Sequence, residues 1–166
     1  MKRRAALCLA AVLLSWGVSF AAAPPSLGPM LGARVWLNGR ATADGLRGKV
    51  VLVDVFTVDC YNCRNVTPNL RSLNASERGR VAIVGIHTPE TRYERERSHV
   101  VDSLRELGIT WPVALDNDSV LWNAYGVQYW PTQLIFDRKG KLRKTVVGDS
   151  QDDVVNETIR MLLAER

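Results

Sequence analysis

Cys60 and Cys63 stand three positions apart, separated only by Tyr61 and Asn62. A disulfide between them would close a very short loop, so it would remove little entropy from the unfolded chain and make a poor structural staple. Exchange chemistry suits the pair better. Cys60 immediately precedes a run in which Val66, Leu70 and Leu73 recur at helical spacing, which puts its sulfur at a helix N-terminus. Unpaired N–H groups there favour a negative charge, and the thiolate is the form that attacks a disulfide. Cys63, one turn in, is expected to be less exposed and placed to resolve a mixed disulfide. The pair is also half of a metal site, which would need further Cys or His ligands from His87 and His99. His99 reads as a surface residue of a connecting helix. His87 ends the second core strand, on the same sheet edge as the cysteines.

The elements that must hold these residues alternate. Val50 to Phe56 is a continuous β-branched run that predicts a strand buried on both faces, with Asp54 as its one anomaly. The helix carrying the cysteines follows, then a second strand from Val81 to Ile86, giving a right-handed β-α-β unit with parallel strands. Val100, Leu104 and Leu107 predict a second helix ending at Gly108, followed by an extended piece around Pro112 to Leu115. Asp116 to Ser119 are expected to cap a short helix through Tyr125. Gln133 to Phe136, a turn at Asp137 to Gly140, and Lys141 to Val147 predict a hairpin. Val155, Ile159, Leu162 and Leu163 predict a closing amphipathic helix. This order is that of the α/β thioredoxin fold, a mixed central sheet flanked by helices, here with an N-terminal strand extension around Arg34 to Leu37.

Length and charge narrow the setting. The 166 residues suit one domain, placed at 30–166. Residues 1–21 read as a signal peptide: Lys2, Arg3 and Arg4 lead an apolar run to Phe20, and small residues follow, with cleavage after Ala21. The alternative is an uncleaved membrane anchor. Cleavage would remove Cys8 and lower Lys+Arg from 22 to 19 against 17 acidic residues, so the net charge falls from +5 to +2. That balance speaks against nucleic acid as a partner. Mixed runs such as Tyr93-Glu94-Arg95-Glu96-Arg97 read as solvated helix faces.

The run Val51 to Phe56, followed by Cys60-Tyr61-Asn62-Cys63 and Pro68, resembles thioredoxin-like proteins over nearly the whole mature chain. Gly85 to Glu90, Trp111 to Asp118 and Ala124 to Pro131 are similar to the exported TlpA-type group and to the thioredoxin domain of DipZ-type proteins. The resemblance implies that Pro131 is a cis-proline facing the dithiol and that the Trp130 backbone is free to pair with an extended substrate, beside Tyr61 and Asn62. It implies that Asp54 is a buried carboxylate, with its pKa raised, taking the Cys63 proton when the mixed disulfide resolves. Pro68 would kink the active-site helix or end a short first turn. The resemblance further implies a periplasmic or otherwise extracytoplasmic monomer with no cofactor. Its partners would be disulfide-containing exported proteins and a membrane electron donor of the CcdA or DsbD kind.

Departures from that pattern keep other chemistries open. Thioredoxin proper has Trp before its first active cysteine; here Asp59 disfavours the Cys60 thiolate, with Arg64 as a possible counter-charge. Tyr61-Asn62 differs from the usual intervening pair, and dithiol proteins span about −270 to −120 mV, so the direction of electron flow is not set by the spacing. Thr57-Val58-Asp59-Cys60 has the Thr-x-x-Cys spacing of a peroxiredoxin-like thiol peroxidase. Both thiolates with His87 would suit copper or another soft metal.

Overall fold

A computed structural model describes residues 25–165; the segment at 1–21, expected to be a signal peptide or anchor, lies outside them. The element order is α1 (Gly28–Leu31), β1 (Trp36–Leu37), α2 (Ala43–Leu46), β2 (Val50–Phe56), α3 (Tyr61–Ser76), β3 (Val81–His87), a 3-10 turn (Tyr93–Arg95), α4 (Arg97–Glu106), β4 (Val113–Leu115), α5 (Val120–Ala124), β5 (Thr132–Phe136), β6 (Leu142–Val147) and α6 (Asp152–Ala164). The six strands form one sheet in the order β1-β4-β3-β2-β5-β6. β2, β3 and β4 are mutually parallel, whereas β1, β5 and β6 each run antiparallel to the neighbour they join.

Every residue of β2 is buried, because helices cover both faces of the sheet. Alternation along the strand divides its side chains. Val50, Leu52 and Phe56 join Val66 and Leu70 of α3, Leu104 of α4 and Ile159 of α6 in one core. Val51, Val53 and Val55 join Met30, Leu121 and Tyr125 in the other. By the same alternation Asp54 lies on the α3 side. Gly85 lets β3 pack closely: a β-carbon there would meet Phe56 Cε1 at 2.9 Å and Val113 Cγ2 at 3.0 Å.

The structure sharpens three local expectations. The N-terminal strand is only Trp36–Leu37, paired antiparallel to β4, and α1 and α2 are helices of four residues without a readable periodicity. Helix α3 runs through Pro68 to Ser76 without ending at the proline. The expected cap of the helix at 120–124 is made by Asp116 within the 116–119 segment: its carboxylate accepts the N–H groups of Leu121 at 2.9 Å and Trp122 at 2.8 Å, while Ser119 makes no side-chain cap.

Candidate active site

Cys60 is the N-cap of α3, in extended backbone, and its Sγ accepts the Cys63 N–H at 3.3 Å. It is therefore an N-capping sulfur, bonded where an Asp or Ser oxygen usually sits. Both thiols are unbridged; Cys60 is half-buried and Cys63 is only 3% exposed. Burial pushes the Cys63 thiol far above its ordinary value, and the neighbouring Cys60 sulfur and Asp54 charge push it further, against the Thr57 backbone N–H. The two sulfurs are thus unequal: one is reachable and bonded to a helix N-terminus, the other is held as a protonated thiol.

Asp54 is 3% exposed. Burial pushes its carboxyl up to about 7, with Gln133 working weakly in the opposite direction from the facing position on β5. Neither Asp54 Oδ1 nor Gln133 Nε2 completes a hydrogen bond. A carboxyl held that way changes protonation near neutrality, beside a thiol that must lose a proton before it can attack.

The Trp130–Pro131 peptide is cis. Thr132, the next residue, pairs with Val55 near the end of β2, so Pro131 shares the sheet edge from which Cys60 departs. The Trp130 indole donates to the Thr88 carbonyl at 3.0 Å and lies against Trp122 at 4.3 Å between ring centres. Asp116 thus sets α5, α5 carries Trp122, and Trp122 backs Trp130. Tyr61 is 77% exposed and Asn62 is also exposed, at the outer turn of α3.

Sequence reasoning missed the group behind the Cys60 loop. Glu94, assigned with its charged neighbours to a solvated face, is 1% exposed. One carboxylate oxygen accepts from the Thr57 hydroxyl and from the Asp59 N–H at 3.2 Å. The other accepts the N–H groups of Glu90 at 2.9 Å and Thr91 at 2.8 Å. Burial alone would raise the Glu94 carboxyl, but these donors outweigh it and hold it below the usual range. One signal was present: Thr91-Arg92-Tyr93-Glu94 has capping-box spacing, and the Glu94 N–H returns to Thr91 Oγ1 at 3.4 Å. His99 also departs from the surface reading, since its Nε2 meets the Asp59 oxygens at 3.0 and 2.9 Å. Arg64 is not the counter-charge to Asp59; it donates to the Val58 carbonyl at 3.1 Å and faces Glu106 at 3.8 Å.

The other chemistries find less support. The Thr57 hydroxyl, which a peroxide-activating site would aim at Cys60, is donated to Glu94. His87 is fully buried, packs edge-on against Phe56 at 5.7 Å, and has its Nε2 3.4 Å from Thr57 Oγ1. Burial pushes its imidazole down to about 4, so it is neutral near pH 7. No three His, Cys, Asp or Glu side chains gather into a metal-holding group among the described residues.

Comparison with known proteins fits this geometry. Residues 48–142 match the family described as thioredoxin-like. The chain belongs to the thioredoxin-like family. It is 35% identical over 133 residues to protein DipZ of Mycobacterium tuberculosis, covering 77% of this chain but 19% of DipZ, so it spans about a fifth of that relative. It is 26% identical over 137 residues to the thiol-disulfide oxidoreductase YkuV of Bacillus subtilis, covering 82% of this chain and 93% of YkuV. The crystal structure of a thiol-disulfide isomerase from Corynebacterium glutamicum superposes with a TM-score of 0.72 at 27% identity, over 81% of this chain and 94% of the other.

Proposed function

We propose that the chain is an exported thiol-disulfide oxidoreductase that reduces disulfides in other exported proteins. The observation that carries this reading is the inequality of the two sulfurs: Cys60 caps a helix at the surface, and Cys63 is buried beside Asp54. The Cys60 thiolate attacks a substrate disulfide; a sulfur–sulfur bond forms to Cys60, the substrate bond breaks, and the departing thiolate takes a proton from water. Cys63 then gives its proton to Asp54 and attacks Cys60 Sγ. The Cys60–Cys63 disulfide forms, the second substrate thiolate leaves, and two electrons have passed from the dithiol to the substrate. A membrane carrier of the CcdA or DsbD kind would return them.

The exposed Tyr61 and Asn62 and the Trp130–Pro131 segment at the same sheet edge suit contact with an extended substrate chain. Export rests on the basic and apolar character of residues 1–21, with the thioredoxin-like domain at 30–166 acting as a monomer. No helix among the described residues is long and apolar enough to cross a membrane.

Mixed-disulfide trapping tests the assignment. Cys63→Ser is expected to accumulate covalent adducts with a disulfide substrate, since attack proceeds and resolution does not. Cys60→Ser is expected to accumulate none. Adducts on Cys60→Ser alone would reverse the roles, equal trapping by both variants would erase the distinction between the sulfurs, and trapping by neither would remove the activity.

A further inference from the structure

Asp59 places a carboxylate directly before the attacking sulfur, where it opposes the charge that Cys60 must carry. The fold holds this residue at both ends. Its backbone N–H is donated to the buried Glu94 carboxylate at 3.2 Å, and both its carboxylate oxygens lie within 3.0 Å of His99 Nε2. His99 comes from the first turn of α4, forty positions away in sequence. The exposed Tyr93 ring packs over the imidazole at 4.1 Å between centres, leaving the His99 side chain 18% exposed and that of Asp59 39%. Asp59 of the active-site loop and Tyr93 of the 3-10 turn contact His99, and the charged groups grouped with it are Glu94 of that turn and His87 of β3, the latter feeling the charges of Glu94, Asp59 and His99.

We propose that His99 is a positioning residue for Cys60: by donating its Nε2–H to Asp59, it fixes and offsets the carboxylate that precedes the attacking sulfur. The inference deepens the proposed reading and rests on Cys60 being the attacker. A half-exposed histidine–carboxylate hydrogen bond contributes little to stability. Its consequence here is reactivity, because the same pair controls how much negative potential reaches the neighbouring thiolate. Removing His99 leaves the Asp59 charge beside Cys60 with only solvent to offset it.

The test measures iodoacetamide alkylation of Cys60 against pH in the full chain carrying Cys63→Ser, read at the Cys60 peptide by mass spectrometry so that Cys8 does not contribute. His99→Ala is expected to slow alkylation near neutral pH by about threefold to tenfold and to move the half-maximal rate to higher pH, the scale of a partly screened charge interaction. Asp59→Asn removes the charge that His99 offsets, so Asp59→Asn with His99→Ala is expected to react like Asp59→Asn alone. A His99→Ala profile that superimposes on its parent overturns the inference, as does a His99→Ala effect that persists undiminished beside Asp59→Asn. Failure of the underlying reading looks different: the parent Cys60 would then react no faster than Cys63 does in a Cys60→Ser chain.

Discussion

Asp54 and Glu94 are two carboxylates at one end of one sheet, 3% and 1% exposed, and they are held in opposite states. Asp54 has a strand on each side and little to bond with; burial pushes it up to about 7. Two segments, the Cys60 loop and the stretch after β3, aim a hydroxyl and three backbone N–H groups at Glu94, and it stays below the usual carboxylate range. Burial is common to both, so burial does not decide the charge; the supply of donors does. The consequence is a division of labour. Asp54 can change protonation state near neutrality and suits proton transfer with Cys63, whereas Glu94 is a fixed anion that ties the Cys60 loop to the segment after β3.

The contrast breaks most severely at Glu94. Glu94→Ala is expected to orphan donors from two segments and to lower unfolding free energy by about 3–4 kcal/mol, measured by urea titration near neutral pH. The pH dependence has a definite sign. A depressed carboxyl binds its proton less tightly folded than unfolded, so its stabilisation is present above the ordinary Glu value and lost as pH falls through the folded value. The wild-type stability difference from Glu94→Ala should therefore shrink on acidification. A loss under about 1 kcal/mol would mean that water serves these donors as well as the carboxylate does.

At Asp54 the sign reverses. Its folded value of about 7 lies above the ordinary 3.8, so the folded state binds the proton more tightly and stability is lost as pH rises between those values. Asp54→Asn cannot ionise. Its unfolding free energy relative to wild type is expected to climb by about 2–4 kcal/mol from acid to above neutral pH, so the variant is the more stable protein there. The same substitution is expected to slow release of the second substrate thiol by about a hundredfold, while alkylation of Cys60 stays near the wild-type rate. A flat stability difference across that pH range would remove the burial account of Asp54; unchanged thiol release would remove its role as proton acceptor.

One half of this contrast was readable in the sequence. Asp54 stands out because a strand of Val, Leu and Phe has no other reason to hold an acid, and Cys60 stands out because a helical period starts just beyond it. Strand assignments followed from continuous β-branched runs and helix assignments from a period of 3.6 residues, and both depend only on near neighbours. Glu94 and His99 depend on contacts across 37 and 40 positions, and no local period records those. The alternating charges from Tyr93 to Arg97 pointed the wrong way, because charge predicts exposure only when no donors are waiting inside. The Thr91 capping box was a local sign that Glu94 turns back toward the backbone, but it could not tell that the Asp59 loop would arrive at the same carboxylate.

Thr57 offers the smallest and most selective change, since it removes one donor from Glu94 and leaves the three N–H groups in place. Thr57→Val is expected to cost about 1–2 kcal/mol, the scale of one buried hydrogen bond to a charged group. Losing a donor lets burial weigh more, so the Glu94 carboxyl should rise and the acid loss of stability should begin at a higher pH than in wild type. The slope from Asp54 should not move, because the Thr57 side chain contributes nothing to that carboxyl. Thr57→Ser, which retains the hydroxyl, should restore the wild-type acid limb. The same variants test the peroxidase reading: with its hydroxyl given to Glu94, Thr57 does not activate Cys60, so peroxide consumption by the reduced protein should be equal in wild type and Thr57→Val. A tenfold or greater loss of peroxide reactivity in Thr57→Val, recovered in Thr57→Ser, would instead tie that hydroxyl to the sulfur and return the Thr-x-x-Cys spacing to catalysis.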